Sequence, residues 1–574
     1  MAAPTQPTLS PALWGLPLVL ILAVVVFAPA VNFQFVFDDR YQILQNPTIS
    51  SWSYLPGYFR SHIWSYGATM VNYYRPLFLV TLRLWNSIVG LDPVGWHALP
   101  IALHLLNIGL VFTVVRKLTS DPATALIGSA LFAVHPIQVE AVGSIYGVTD
   151  AIMAASLLAS FWCCLHWKER AKPAWLAVSG IFFVLALFTK ESAIVFPLVL
   201  LAYEVTANNA AESESQSRQN LTPLVAFAVL AILYLLVRRF ALGATLGHVA
   251  SDVPWTTVFL TAPLSLLTLL RLWALPFGMS AFYNSPYVTR PDLVHFVLPT
   301  LLLIGIAIAI WFWSRRTKTP LIVFAAIWAL LGSLPVLDLR LMQPGDFIHI
   351  RFLYVPSMAL SLLASIALRQ LIPNPTYRVG ITVALAIALA VSARSQLGIF
   401  RDNESLYRRG IAVAPDNRVP YNNLADDYIH AGRLDEAAVL LDENLRRHPD
   451  FWMSAYNRGY IAYLKQNWPE VADYMGRSIA DHGDEVDAYV YRGFALLELG
   501  QPQQAEQSVR QAIALRPLAR NYHFVLGLIL RQQQRWADAL QAFDAELAIN
   551  PRNQNAAIHA ADLRRSLSSA SHAH

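Results

Sequence analysis

The sequence predicts an all-α protein in two parts, a polytopic helical membrane part followed by an α-solenoid. Hydrophobic residues make up 56% of the 574 residues and charged residues only 14%, which is too apolar for a soluble chain. The long apolar runs lie before residue 400, whereas the remainder is polar and carries a repeat of constant length. We therefore place the membrane domain at residues 1–400, a linker at 401–417 and the solenoid at 418–568.

Apolar runs that suit membrane helices recur along the first part of the chain. A helix needs about 20 predominantly apolar residues to cross the hydrocarbon core of a bilayer, and tilting or partial burial changes this length. Counting the shorter runs as well, we expect about eleven spans, at residues 14–31, 96–115, 123–134, 151–167, 175–188, 193–203, 223–236, 294–313, 321–336, 357–371 and 381–391.

The distribution of basic residues predicts which side of the membrane each loop occupies. Cytoplasmic loops carry an excess of Lys and Arg, and Arg116-Lys117 and Arg315-Arg316 fall there if segments 76–90 and 258–276 lie on the outer surface instead of crossing. The N-terminus is then cytoplasmic. The first outer loop, residues 32–95 with its interfacial helices, is extracytoplasmic, as is the solenoid. We expect a multi-pass protein, of the inner membrane if the source is bacterial.

Charged and polar residues collect at the outer ends of these predicted spans. Each taken singly is as easily an ordinary span-end charge or a local ion pair, but ionisable groups within a membrane domain are costly and mark candidate sites. The Asp38-Asp39 pair, which follows the first span, supplies the candidate catalytic acids. The candidate substrate-binding residues are Arg75, His135, Glu140, Asp150, Lys190, Glu191, Arg351 and Tyr354.

These residue types favour transfer of a group from a phosphate-bearing donor. Arg presents a planar fork to phosphate and Lys a point charge, while a carboxylate beside them can accept a proton from an attacking hydroxyl. No cofactor is predicted. Asp38 and Asp39 could bind a divalent cation, although a pair without further oxygen ligands is a weak site. The adjacent Cys163 and Cys164 offer no disulfide framework or zinc site, and no basic cluster indicates nucleic acid.

The solenoid is predicted from a repeat of 34 residues. Small residues recur at Ala425, Gly459, Gly493 and Gly527, and apolar residues follow them at Leu441, Met475, Val509 and Phe543. A period of 34, with small residues where two helices cross, is the tetratricopeptide signature. We expect four repeats between 418 and 550 and a closing helix at 553–566. Such arrays bind peptides or proteins on a concave face, although a rigid spacer is an alternative.

Several motifs resemble a known family. They are Phe37-Asp38-Asp39, Tyr74-Arg75-Pro76-Leu77, Phe132-Ala133-Val134-His135-Pro136, Thr189-Lys190-Glu191 and Arg351-Phe352-Leu353-Tyr354-Val355-Pro356-Ser357. As an ordered set ahead of tetratricopeptide repeats, they resemble the transmembrane-and-TPR protein O-mannosyltransferases, which have the GT-C glycosyltransferase fold. The chain looks like a bacterial-type homologue of this family.

The resemblance implies an inverting, metal-independent transfer from a polyprenyl-phosphate sugar, mannose or another hexose, to a Ser or Thr hydroxyl of a protein. It implies that Asp38 is the base, with Asp39 supporting it, and that Arg351 and Lys190 contact the phosphate. Residues 143–150 depart from the family pattern, which usually carries an arginine before the acid at this place.

Two other functions fit the same sequence. One is a non-enzymatic membrane anchor whose repeats recruit partners for envelope or pilus assembly. The other is sugar transfer to a lipid or glycan, with the repeats serving assembly. In each case the repeats offer a surface for a protein partner or acceptor.

Overall fold

The computed structural model describes residues 11–66, 73–207, 214–243, 253–342 and 345–571, and every regular element within them is a helix. This confirms the predicted all-α class. The chain divides into two compact units, Met1–Asn417 and Arg418–His574. Residues 401–417, predicted to be a linker, belong to the first unit and include a helix of their own.

The first unit is built from helices that begin at Pro, Asp or Asn signals. Asp92 and Asp121 precede Pro and accept hydrogen bonds from backbone N–H groups of the first turn, which satisfies donors that the helix itself leaves free. The described helices are α1 Pro11–Phe27, α2 Leu55–Tyr58, α3 Pro76–Val89, α4 Pro93–Thr119, α5 Pro122–Val134, α6 Val139–Gly143, α7 Val148–Arg170, α8 Pro173–Thr189, α9 Phe196–Ala207, α10 Glu214–Leu242, α11 Trp255–Ala274, α12 Leu298–Thr317, α13 Leu321–Ser333, α14 Tyr354–Leu371, α15 Pro375–Leu397 and α16 Asn403–Val413.

Eight helices in the described part of the chain are long and apolar enough to cross a membrane, or nine if the bent pair α5 and α6 forms one span. Seven of the eight coincide with predicted spans, and the eighth is α11. Four predicted spans have no counterpart among the eight. The span at 123–134 lies in the bent pair, and those at 175–188, 193–203 and 321–336 lie in short helices. Helices α8, α9 and α13 have 17, 12 and 13 residues, fewer than the roughly 20 that a simple span needs.

Helix α11 was predicted to stay on the outer surface, yet its length and composition also suit a span. Its first residue, Trp255, lies under the guanidinium of Arg340, 3.6 Å from the ring centroid to the guanidinium carbon. Beyond its other end, the ring of Phe282 contacts Phe37 in the first loop. Helix α11 also contacts the turns Leu334–Leu337 and Ile350–Leu353. The start of α11 and the segment beyond its end thus both contact loops that were predicted to be extracytoplasmic, and the surface or re-entrant arrangement stays a prediction.

Helix α3 is the other segment predicted not to cross. Its 14 residues would reach only about 21 Å at 1.5 Å per residue, less than the thickness of the hydrocarbon core. It buries Phe78, Leu79 and Leu82 and leaves Leu84 and Ile88 exposed. A helix that is apolar on both faces and too short to span suits the membrane interface.

Buried polar contacts hold the middle of the membrane domain together. The side chain of Asn107, on α4, donates to the Ala151 carbonyl at 2.9 Å and to the Tyr354 hydroxyl at 3.1 Å. His104 Nδ1 lies 2.9 Å from the same hydroxyl. Because buried polar groups are costly when unpaired, this network ties α4 to the starts of α7 and α14. The loops that precede those two helices are thereby brought close together.

The second unit consists of helix pairs followed by one more helix. The helices are α17 Arg418–His430, α18 Leu434–Arg447, α19 Trp452–Leu464, α20 Trp468–Asp481, α21 Val486–Glu498, α22 Pro502–Leu515, α23 Tyr522–Gln532, α24 Trp536–Ile549 and α25 Gln554–Ser571. The four predicted repeats and the closing helix are confirmed. Gly459, Gly493 and Gly527 lie where the two helices of a pair cross, and each faces the apolar residue 16 positions later.

Candidate active site

The two adjacent acids after α1 have different surroundings. Asp39 is fully buried, and its carboxylate accepts hydrogen bonds from the backbone N–H groups of Val36 at 3.2 Å, Ile145 at 3.4 Å and Tyr146 at 2.6 Å. Burial raises the pKa of Asp39 to about 7, although these N–H donors act to lower it. Asp39 therefore joins the first loop to the turn before α7.

Asp38, in contrast, is half-buried, and its carboxylate has no hydrogen-bond partner among the residues that the structure describes. Desolvation raises the pKa of Asp38, while the positive charges of Arg351 and Arg75 act to lower it. A carboxylate with this combination remains able to accept a proton, because its oxygens are not already bound to donors.

Three cations lie in this region, each paired with an acid, and two of them, Arg351 and Arg75, act electrostatically on Asp38. Lys190 Nζ lies 2.5 Å from Asp150 Oδ1, and Arg75 Nε lies 2.9 Å from Glu191 Oε2. The third pair is looser: Arg351 Nη1 lies 3.7 Å from Glu140 Oε1, and the Arg351 backbone N–H donates to Glu140 Oε2 at 3.0 Å. These pairs bring together seven of the ten predicted site residues, if Asp38 is counted with them.

The local fold explains how these side chains meet. Arg75 directly precedes α3, and Lys190 and Glu191 follow the last residue of α8. The other residues lie on the turns that the buried network of α4, α7 and α14 holds together. Glu140 lies in α6, Asp150 in the first turn of α7 and Arg351 in the turn Ile350–Leu353 before α14.

Aromatic rings line the cations, and the sequence did not single these rings out. The guanidinium carbon of Arg351 lies 4.7 Å from the ring centroid of Tyr146, and that of Arg75 lies 4.5 Å from the centroid of Tyr73. Lys190 Nζ lies 5.6 Å from the centroid of Phe352. The aromatic faces attract the cations but carry no net negative charge, so they add no neutralisation to that of the paired acids. Tyr73 and Phe352 are close in sequence to Arg75 and Arg351, so the sequence could have identified them as candidate site residues. Tyr146 is far in sequence from all three cations, so no local pattern could have identified it.

Two predicted site residues take part in packing instead. His135 ends α5, its Nδ1 accepts the Ile137 N–H at 3.2 Å, and its ring stacks on Trp273 at a centroid distance of 5.2 Å. The Tyr354 hydroxyl is fully buried and bonded to Asn107. Both side chains connect helices, and neither makes an ion pair or a hydrogen bond with the charged residues around Asp38.

An apolar groove of about 380 Å³ lies close to the charged residues. It is formed by α11, α12, α13 and α14, and its lining includes Leu353 and Pro356, which follow Arg351 by two and five residues. Leu303, Ile306 and Ile310 carry the lining along α12. The groove thus combines an apolar wall with a nearby group of cations.

Metal binding finds little support in the described residues, where no cluster of three His, Cys, Asp or Glu side chains could hold an ion. Asp39 binds backbone N–H groups with both of its oxygens, so Asp38 and Asp39 do not present a shared set of free oxygens. These side chains combine a carboxylate that can accept a proton with three cations, the residue types that attract an anion.

Comparison with protein families places two matches along the chain. Residues 75–237 match the family described as dolichyl-phosphate-mannose-protein mannosyltransferase. Residues 422–483 and 492–553 match the tetratricopeptide repeat. The first match contains Arg75, Glu140, Asp150 and Lys190.

Two curated proteins are similar to about a third of the chain. The chain is 31% identical to protein O-mannosyl-transferase Tmtc2 of Drosophila melanogaster over 206 residues, which are 34% of this chain and 22% of that protein. It is 32% identical to human protein O-mannosyl-transferase TMTC3 over 182 residues, 30% of this chain and 19% of that protein. The chain therefore spans about a fifth of the length of these relatives.

Among solved structures, the TPR protein YrrB is similar over 28% of this chain and 84% of its own, with 20% identity and a TM-score of 0.27. The TPR fold of the second unit rests on its own helix pairs and on the repeat match.

Proposed function

From the match to the mannosyltransferase family, the tetratricopeptide repeats and the similarity to the TMTC proteins, we propose that this chain is a glycosyltransferase. It moves a sugar, mannose or another hexose, from a polyprenyl-phosphate donor to a Ser or Thr hydroxyl of a protein. The reaction takes place on the extracytoplasmic face. This activity is the one that the charged residues and the apolar groove support best.

The observation that carries the proposal is the environment of Asp38. Its carboxylate has no hydrogen-bond partner among the described residues. The neighbouring acids Asp39, Asp150, Glu191 and Glu140 each have at least one partner, although Asp150 Oδ2 and Glu191 Oε1 accept no hydrogen bond. A general base needs free oxygens within reach of the proton that it takes. The presence of one free carboxylate among paired acids favours an enzyme over a purely structural membrane anchor.

The three cations suit a phosphate leaving group. The three cations are close enough to affect one another, because the charges of Arg75 and Arg351 act on the pKa of Lys190 and also on that of Asp38. Desolvation lowers the pKa of Lys190, and an incoming phosphate would favour its charged form. Preorganised positive charge at the departing oxygen is a large term in catalysis of this kind.

The apolar groove suits the lipid part of the donor. A polyprenyl chain needs an apolar surface that continues from the place where its phosphate binds. The groove meets this requirement because Leu353 and Pro356 form part of its wall beside Arg351.

In the proposed step, Asp38 takes the proton of the acceptor hydroxyl while that oxygen attacks the anomeric carbon. The new C–O bond forms as the bond between the anomeric carbon and the phosphate oxygen breaks. The electron pair leaves with the polyprenyl phosphate, whose charge Arg351, Lys190 and Arg75 stabilise. Attack from the side opposite the phosphate inverts the anomeric configuration. The repeats hold the acceptor protein or a partner.

The test is transfer by the purified full-length protein in lipid nanodiscs. A synthetic polyprenyl-phosphate mannose serves as donor and a Ser/Thr-rich peptide as acceptor. Asp38→Asn should lower the transfer rate about 100-fold or more, since a general base contributes roughly 10² to 10⁴. The control is Asp435→Asn, an exposed surface acid of the second unit, which should transfer at the wild-type rate.

Full transfer by Asp38→Asn would refute the assigned base. Wild-type transfer to lipid or glycan acceptors, with none to peptides, would replace the protein acceptor while keeping the enzyme. Glycoproteomics of cells lacking the protein separates these two acceptors.

A further inference from the structure

The residue before Asp38 has an unusual backbone conformation. Phe37 has a φ of 49°, in the left-handed region, where side chains other than glycine are uncommon and bulky ones rare. Such a conformation costs free energy and persists only where the surroundings enforce it. Its position next to the proposed base makes the contacts that enforce it relevant to catalysis.

Helix α16 supplies part of that enforcement. The Phe37 backbone N–H donates to Asn403 Oδ1 at 2.8 Å, across 366 residues of sequence. The Phe37 ring makes an edge contact with Tyr407 of the same helix, at a centroid distance of 6.4 Å. Just before α16, the Arg401 carbonyl accepts the Gln34 N–H at 2.9 Å. The first loop is therefore bound at two backbone positions by the segment that the sequence suggested was a linker.

Other contacts hold the same turn from the opposite direction. The Phe37 ring makes edge contacts with Tyr146 at 5.8 Å and with Phe282 at 5.7 Å between centroids. The Asp39 carboxylate accepts the Tyr146 N–H. Phe37 and Asp39 are thus both fixed by their surroundings, and the residue between them, Asp38, keeps a carboxylate without a hydrogen-bond partner in the described chain.

We propose that Asn403 is a positioning residue for Asp38. Its side-chain oxygen holds the Phe37 N–H and keeps the left-handed turn that sets the direction of the Asp38 side chain. An amide oxygen does this without adding a negative charge beside the base. The inference rests on the proposed function, in which Asp38 accepts the proton of the acceptor hydroxyl.

A small displacement of a catalytic group is enough to reduce turnover. A misplacement of about 1 Å can cost on the order of 100-fold in rate, because the reacting atoms must meet at near-contact distance. Loss of the Asn403 hydrogen bond should therefore lower kcat and leave KM for the donor nearly unchanged, since Arg75, Lys190 and Arg351 are not altered.

The experiment compares three variants of the full-length protein in nanodiscs with polyprenyl-phosphate mannose and the acceptor peptide. Asn403→Leu removes the acceptor oxygen at similar size, whereas Asn403→Asp keeps an acceptor oxygen. Arg408→Ala is the matched control, because Arg408 lies exposed on the same helix and pairs with Glu404. The carboxylate introduced by Asn403→Asp raises the pKa of Asp38. Rates are therefore compared at a pH where the activity of each variant no longer rises with pH. Hydrogen exchange is followed in the peptide that contains residues 34–39.

Asn403→Leu should lower kcat about 10- to 100-fold and speed exchange at Phe37. Asn403→Asp and Arg408→Ala should each keep kcat near the wild-type value. Wild-type kcat in Asn403→Leu overturns the proposal, as does an equal loss in Asn403→Leu and Asn403→Asp. If the wild type transfers no sugar to any acceptor, the proposed function fails, while the exchange data still report whether Asn403 holds the turn.

Discussion

Asp38 and Asp39 are neighbouring residues of the same type, and their different hydrogen bonding suggests different roles. Asp39 accepts three backbone N–H groups and joins two loops, whereas Asp38 accepts none from the described residues. The resemblance implied that Asp38 is the base and Asp39 its support. The structure gives that support a physical form, because Asp39 anchors the turn on which Asp38 stands.

Substitution should separate the two roles. In Asp39→Asn the amide can offer its oxygen to only one side, so at least one N–H loses its acceptor, at about 1–3 kcal/mol. Asp38 has a pKa raised by burial in the folded state, so its ionised form disfavours folding once the pH exceeds its unfolded pKa. Asp38→Asn should therefore unfold at the same temperature as the wild type or higher. Burial raises the pKa of Asp39 as well, to about 7, so removal of its charge offsets part of the lost hydrogen bonding, and Asp39→Asn should unfold at a lower temperature than Asp38→Asn.

The measurement is the thermal midpoint of each variant in the same detergent at neutral pH. A lower midpoint for Asp38→Asn than for Asp39→Asn would contradict the assigned division of roles.

Lys190 and Asp150 form a buried pair, so loss of donor binding has to be distinguished from loss of folding. Lys190→Met leaves the Asp150 carboxylate buried without its cation and should destabilise the protein by about 3–5 kcal/mol. The double variant Lys190→Met/Asp150→Leu removes both charges and should recover most of that stability. If Lys190 contacts phosphate, the double variant still shows a raised KM for the donor.

Stability is read from the thermal midpoint and donor binding from KM for polyprenyl-phosphate mannose. A double variant with wild-type KM and kcat would restrict Lys190 to an architectural ion pair.

At the level of helices and turns, both units depend on helices that pack closely against one another. In the membrane domain, α4, α7 and α14 meet through buried polar contacts, and the turns at their ends carry the charged residues. In the second unit, the paired helices approach where a glycine faces a large apolar residue. Ala425 occupies the equivalent position in the sequence of the first repeat, 16 residues before the buried Leu441.

Alanine substitution of these glycines should be graded by the facing side chain. A Cβ at Gly527 would lie 2.5 Å from the Phe543 ring, which is rigid and fully buried. A Cβ at Gly459 would lie 3.0 Å from the terminal methyl of Met475, which can move. Gly527→Ala should cost about 1–3 kcal/mol through overpacking, and Gly459→Ala less.

Hydrogen exchange of the full-length protein, compared between α23–α24 and α19–α20, measures both effects. If the backbone amides exchange at the same rate in Gly527→Ala and in Gly459→Ala, the identity of the facing side chain does not determine the loss of stability, and the prediction is wrong.

For the whole molecule, the sequence left open whether the chain crosses the membrane at α11. The first residue of this helix contacts Arg340 and the segment beyond its end contacts Phe37, both in loops predicted to be extracytoplasmic. We therefore keep, as a prediction, the arrangement that the distribution of Lys and Arg indicates. In that arrangement Lys172 and Arg316 face the cytoplasm, while residue 53 in the first loop faces outward.

Single cysteines at these three places test the arrangement. A membrane-impermeant maleimide added to intact cells should label Ser53→Cys, and should label Lys172→Cys and Arg316→Cys only after the membrane is opened. The native Cys163 and Cys164 are buried, so the unmodified protein is the background control. Labelling of Arg316→Cys from outside would show that α11 crosses the membrane.

The local pattern of the chain was enough to predict the helices, the repeat and the identity of the charged residues. Helix formation and a period of 34 depend on spacing within a few tens of residues, which the sequence displays directly. Short apolar runs were harder to interpret, because a helix such as α9 has the composition of a span without its length.

Tertiary structure alone decided which acid each cation pairs with and which acid stays free. Arg351 meets Glu140 across 211 residues and Phe37 meets Asn403 across 366, and no local spacing encodes such contacts. The same holds for the left-handed conformation of Phe37, which distant side chains enforce. The sequence therefore determined the inventory of charges and helices. Packing paired the neighbouring acids with cations and left the Asp38 carboxylate without a hydrogen-bond partner among the described residues, because such pairs form only between segments that the fold brings together.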